Sequence, residues 1–102
     1  MKRGNTMLTG KQKRFLRSEA HHLRPIFQVG KDGVNENMIT TMNEALEKRE
    51  LIKVTVLQNC LEETDEVAAA LVEGTESELV QVIGHTIVLY KPSVENQTIQ
   101  LP

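Results

Sequence analysis

Cysteine occurs once in the 102 residues, as Cys60, so an internal disulfide framework and a multi-cysteine zinc site are excluded. Tryptophan is absent, and aromatics reach only 3%: Phe15, Phe27 and Tyr90. Phe15 and Phe27 are expected in the core, which leaves no aromatic platform on which splayed bases could stack. No apolar run approaches the ~20 residues of a membrane span. The start, Met1-Lys2-Arg3-Gly4-Asn5-Thr6, lacks the apolar stretch of a signal peptide. A cytoplasmic location and no membrane partner are therefore expected. Hydrophobic residues make up 39%, enough for a core, and the length suits one domain spanning 1–102.

Charge of one sign is also scarce on average, since 12 Lys+Arg face 14 Asp+Glu for a net charge of −2. That average hides a division. Residues 1–33 hold eight cations (Lys2, Arg3, Lys11, Lys13, Arg14, Arg17, Arg24, Lys31) against Glu19 and Asp32, a balance of +6. Residues 34–102 hold four cations and twelve anions, a balance of −8. A local field acts within about a Debye length, ~10 Å, so the division bears on partners more than the total does.

Thr9 and Gln12 have the spacing of a capping box, and Pro25 disfavours helical geometry at Arg24, so a first helix is predicted to end near residues 22–24. At about 100° per residue, Phe15, Leu16, Glu19, Ala20 and Leu23 fall on one side, and Lys13, Arg14, Arg17, His21 and Arg24 on the other. Lys11, Lys13 and Arg14 sit in the first turns, where the helix dipole disfavours cations, so stability alone would not select them. Ile26–Val29 reads as a strand, Gly30–Gly33 as a loop, and Asn35 as the cap of a helix over 36–49. Leu51–Leu57 alternates as a strand. Thr64 is expected to cap a third helix ended by Gly74, and strands 79–83 and 86–90 to meet at a Gly84-His85 turn. The ends, 1–7 and 93–102, are expected to be flexible or weakly docked. The order α-β-α-β-α-β-β predicts an α/β single domain, with some parallel pairing and a final antiparallel hairpin.

Gly30-Lys31-Asp32-Gly33 joins a strand to a helix, where glycines permit close backbone approach and the helix N-terminus suits a phosphate. The loop is neither a Walker motif nor a dinucleotide fingerprint, and a strand-to-helix turn can need glycine for its own sake. A basic helix face can likewise be mere solvated surface. Here its cations lack acidic partners on that side and continue to Lys31, a pattern that a phosphate backbone rewards through counterion release. His21 and His22 point about 100° apart on a helix and have no matching ligand, so no metal or cofactor is expected. Cys60 lacks a nearby base, and no nucleophile–base pair marks an enzyme.

Ala20-His21-His22-Leu23-Arg24-Pro25, the Gly30–Gly33 loop, Leu51-Ile52-Lys53-Val54 and Val82–Pro92 together resemble the CRM domain, and more narrowly the free-standing bacterial YhbY-like proteins. The resemblance implies a four-stranded mixed sheet packed with helices, like the C-terminal domain of translation initiation factor 3. It also implies RNA binding, association with structured rRNA in precursors of the large ribosomal subunit, and kinship with plant organelle intron-splicing factors. The family's Gly-x-x-Gly role falls on Gly30, Lys31, Asp32 and Gly33, beside the basic positions Lys13, Arg14, Arg17, His21 and Arg24. Asp32 is the awkward member: it can bond a loop amide or a ribose hydroxyl, or weaken binding. The expected protein is a monomeric, non-catalytic RNA-binding module, with ribosomal proteins as further partners. The alternative is a protein-interaction module that docks on a ribosomal protein or assembly factor through its acidic half.

Overall fold

The computed structural model describes residues 8–102. Lys2, Arg3 and the rest of the end expected to be flexible, 1–7, lie outside the described residues. Three helices, α1 (Gly10–Ala20), α2 (Glu36–Arg49) and α3 (Thr64–Thr75), alternate with strands β1 (Phe27–Val29), β2 (Leu51–Val56), β3 (Glu78–Ile83) and β4 (Thr86–Tyr90). The strands form one sheet in the order β1-β2-β4-β3. β1 runs parallel to β2, and both β2 and β3 run antiparallel to β4, so the sheet is mixed as expected.

Alternation along β2 and β4 divides the core into two layers. Ile52, Val54, Val56, Ile87 and Leu89 pack with Met42 and Leu46 of α2 and Val67, Ala68 and Leu71 of α3. Leu51, Val88 and Tyr90 face the other way, against Leu16 and Ala20 of α1 and against Leu8. β3 carries an irregularity: Leu79 pairs with Leu89, yet Gln81 pairs with Val88. Val80 is the extra residue of this bulge, and it turns Gln81 and Ile83 toward the α1 face.

The caps of α1 and α2 are those the sequence signals. Thr9 Oγ1 accepts from the Gln12 N–H at 3.1 Å, the Gln12 side chain accepts from the Thr9 N–H at 3.1 Å, and Asn35 Oδ1 accepts from the Met38 N–H at 2.8 Å. β1, β2 and β3 each differ by one residue at one end from the expected 26–29, 51–57 and 79–83, and three helix boundaries differ. α1 stops at Ala20 rather than 22–24, because the Leu23 N–H turns back to the Ala20 carbonyl at 3.0 Å and draws the chain out of the helix. α3 is capped at Glu63, whose N–H donates to Glu66 Oε1 at 3.1 Å; the Thr64 hydroxyl instead meets His85 Nδ1 at 3.3 Å. Gly74 lies inside α3, and Glu76, at φ 57°, takes the left-handed terminal position.

Gly74 is needed for close approach: a Cβ there would stand 2.5 Å from Ile39 Cδ1 and 3.0 Å from Ile39 Cγ1 of α2. Gly74→Val is expected to lower stability by roughly 1–3 kcal/mol through overpacking, as read by denaturant melts. Ile39→Ala in the same chain should recover part of that loss; strictly additive losses would refute the contact as the cause.

The C-terminal tail departs furthest from its expectation. It is held against α2 by hydrogen bonds to Glu47 and Glu50, and Ile99 and Leu101 pack on the layer formed by Leu8, Leu51 and Tyr90. Its polar composition concealed this docking, because the tethers are backbone amides.

Candidate nucleic-acid interface

α1 carries no acidic residue in its first turn, although Lys11 and Lys13 lie there and Arg14 follows. Leu16 and Ala20 are buried against the sheet, and Lys13 and Arg17 are half-buried on the flank of that contact. The basic side is therefore not turned squarely to solvent, but borders the seam between helix and sheet. Arg14 and His21 are exposed. Arg24 lies beyond the shortened helix and is exposed in the connection to β1, so the helical wheel does not describe it.

Because α1 ends at Ala20 while the sheet continues, part of the sheet face is left uncovered. Two adjoining hollows form there, of about 340 and 130 Å³, and both are lined by Arg17, His21, Gln81 and Ile83. Lys53 and Thr86 line the smaller one, and Ser18 and His22 the larger. Arg17 and His21 are thus brought together, whereas Lys13 and Arg14 lie further back along α1 and line neither hollow. Lys53 is absent from the positions singled out by sequence. Its signal was available: a lysine on the interior strand β2, alternating with Ile52, Val54 and Val56, needs an uncovered sheet face.

The Gly30–Gly33 loop follows β1 at the end of the sheet where Val29 pairs with Val56. The Gly33 N–H donates to the Gly30 carbonyl at 3.0 Å, which closes a tight turn. Gly33 adopts φ 68°, a conformation that favours glycine. That amide is used inside the turn, so Gly33 serves the loop's shape rather than supplying a free donor. Lys31 and Asp32 project as exposed residues at the tip. Among the described residues no loop amide donates to the Asp32 carboxylate. A Cβ at Gly30 would stand 3.3 Å from Asn59 Oδ1, and one at Gly33 3.5 Å from Glu62 Oε1, so the loop rests on the 57–62 segment. Glu62 adds a second negative charge beside a loop whose cation is Lys31.

Among the described residues no cluster of three or more His, Cys, Asp or Glu side chains could hold a metal, and no helix is long and apolar enough to cross a membrane. Cys60 is half-buried against the α2–α3 layer.

The profile of the CRS1 / YhbY (CRM) domain matches residues 8–91, nearly all of the described chain. The chain belongs to the CRM domain family. This CRM domain is 72% identical over 96 residues to the probable RNA-binding protein YqeI of Bacillus subtilis, covering 94% of this chain and all of that protein. It is 43% identical over 97 residues to an RNA-binding protein of Haemophilus influenzae, covering 95% of this chain and 97% of that one. The solution structure of SAV1595 from Staphylococcus aureus superposes with a TM-score of 0.78 at 61% identity, covering 94% of this chain and all of the other. The YhbY-like resemblance and the four-stranded mixed fold are thereby established.

Proposed function

We propose that this CRM domain is a non-catalytic, monomeric RNA-binding protein of the cytoplasm. It attaches to structured rRNA in precursors of the large ribosomal subunit and assists their assembly. The observation that carries this reading is the cationic seam: Lys13 and Arg17 are packed along the edge of the α1–sheet contact, His21 lies one turn on from Arg17, and Lys53 comes from the sheet itself. Half-buried cations such as Lys13, Arg17 and Lys53 are partly pre-positioned, so they lose less side-chain freedom on meeting phosphates than free surface lysines would. The names borne by the Bacillus and Haemophilus relatives support RNA as the ligand.

Lys13, Arg14, Arg17, Arg24 and Lys31 neutralise phosphates, and His21 adds a hydrogen bond. Gly30 and Gly33 keep the loop slim enough for its tip to approach the sugar–phosphate chain. Asp32 stands at that tip as an acceptor suited to a ribose hydroxyl. Such contacts fix position and shape rather than sequence. With about five phosphates neutralised, log K for a large-subunit rRNA fragment should fall with log salt at a slope of roughly −3.5 to −4.5. A slope near zero in that titration would overturn the reading.

A further inference from the structure

The hollows beside α1 contain more than cations. Ile83 is 57% exposed and lines both, although an isoleucine at the end of an edge strand could have been any polar residue. Gln81 is half-buried and lines both as well. Each reaches this face through the Leu79/Gln81 bulge, since strict alternation from Leu79 would have sent them to the opposite side. Four kinds of group therefore converge: an apolar surface (Ile83), an amide that both donates and accepts (Gln81), a hydroxyl (Thr86), and cations (Arg17, Lys53). A continuous phosphate backbone calls for the cations only. An apolar surface beside an amide fits the face and edge of a nucleobase, and the flanking cations fit the phosphates on either side of it.

We propose that this hollow receives one unpaired nucleotide of the bound RNA, with its base on Ile83 and its edge read by Gln81, while Arg17 and Lys53 hold the adjoining phosphates. The proposal rests on the RNA-binding reading and names the RNA feature recognised. It also accounts for the scarcity of aromatics: a single aliphatic contact accepts one extruded base without a stacking platform. Unpaired nucleotides are where RNA offers base edges, because the A-form major groove is too narrow to read.

The test uses two synthetic RNA hairpins of equal length, one continuous and one carrying a single bulged 2-aminopurine. The wild-type chain should bind the bulged hairpin roughly tenfold more tightly, with a change in 2-aminopurine fluorescence on binding. Ile83→Ala and Gln81→Ala should each abolish most of that preference while leaving the affinity for the continuous hairpin and the salt slope unchanged. Ile83 and Gln81 are not core residues, and thermal melts of both variants would confirm that they fold. Equal affinity of the wild type for the two hairpins, or equal losses on both in the variants, would overturn the proposal but leave RNA binding standing. Failure to bind either hairpin or the rRNA fragment would overturn RNA binding itself.

Discussion

Glu50→Gln is expected to destabilise the domain by roughly 2–4 kcal/mol, a fall in Tm on the order of 10–20 °C for a chain of this size. Glu50 is buried at the C-terminus of α2, at φ 67°, with its own N–H on the Leu46 carbonyl at 2.8 Å. Its carboxylate accepts from three backbone amides of the tail: Ser93 at 2.8 Å, Thr98 at 2.8 Å and Ile99 at 2.9 Å. Burial pushes the carboxyl upward, but those amides outweigh it and hold Glu50 below the usual carboxylate range. Glutamine has the same shape but one acceptor oxygen, so its NH2 must face a tail N–H. The affected segment also anchors Ile99 and Leu101 beside Tyr90, so hydrogen-exchange protection of the Ser93, Thr98 and Ile99 amides should fall with the Tm.

The pH dependence separates charge from shape. A carboxyl whose folded pKa is depressed contributes stability that is present above its unfolded pKa, about 4.3, and lost as pH falls through the folded value. Glu47 is lowered in the same direction by the Val94 and Glu95 amides and the Ser93 hydroxyl. Wild type and Glu50→Gln should therefore differ most near neutral pH and converge below about pH 4. A gap that stays constant from neutral pH down to about pH 3 would show that the carboxylate charge does not hold the tail.

The elements that sequence disclosed best are those whose signals are local. Asn35, Glu36 and the spacing of Met42 and Leu46 define α2 within one helix, and Lys53 between Ile52 and Val54 defines the faces of β2. What escaped depends on partners distant in the chain. The tail is tied by amides 43 to 49 residues from Glu50, and a backbone N–H has no sequence signature. Gly74 looked like a helix end because glycine often is one, whereas its real constraint is Ile39 on another helix. The bulge at Val80 is equally invisible, since Leu79–Ile83 is apolar enough to read either way. For the site, the basic side of α1 was legible from its period, but its rotation toward the sheet, and hence the companionship of Arg17 with Lys53, required the packing of Leu16 and Ala20.

Replacing Arg14, Arg17 and Lys31 together by glutamate is expected to weaken binding to a large-subunit rRNA fragment on the order of a hundred- to a thousand-fold at ~0.1 M salt. Each phosphate contact contributes about a factor of ten at that ionic strength, through the counterions it releases. Three lost contacts should also flatten the salt slope by roughly 2 to 3, and this distinguishes lost electrostatics from a damaged fold. Arg14 and Lys31 are exposed and Arg17 is half-buried at the helix flank, so none is a core residue and the variant should melt near the wild type. The single variants divide the surface further. Arg17→Glu places its charge in the hollow beside Lys53 and should cost more than Arg14→Glu, which faces solvent. Lys31→Glu would leave the loop tip with two adjacent acids, Asp32 beside it and Glu62 near Gly33, so its loss measures how far the Gly-x-x-Gly turn takes part. A folded triple variant with undiminished affinity would move the RNA surface off α1 and its loop altogether.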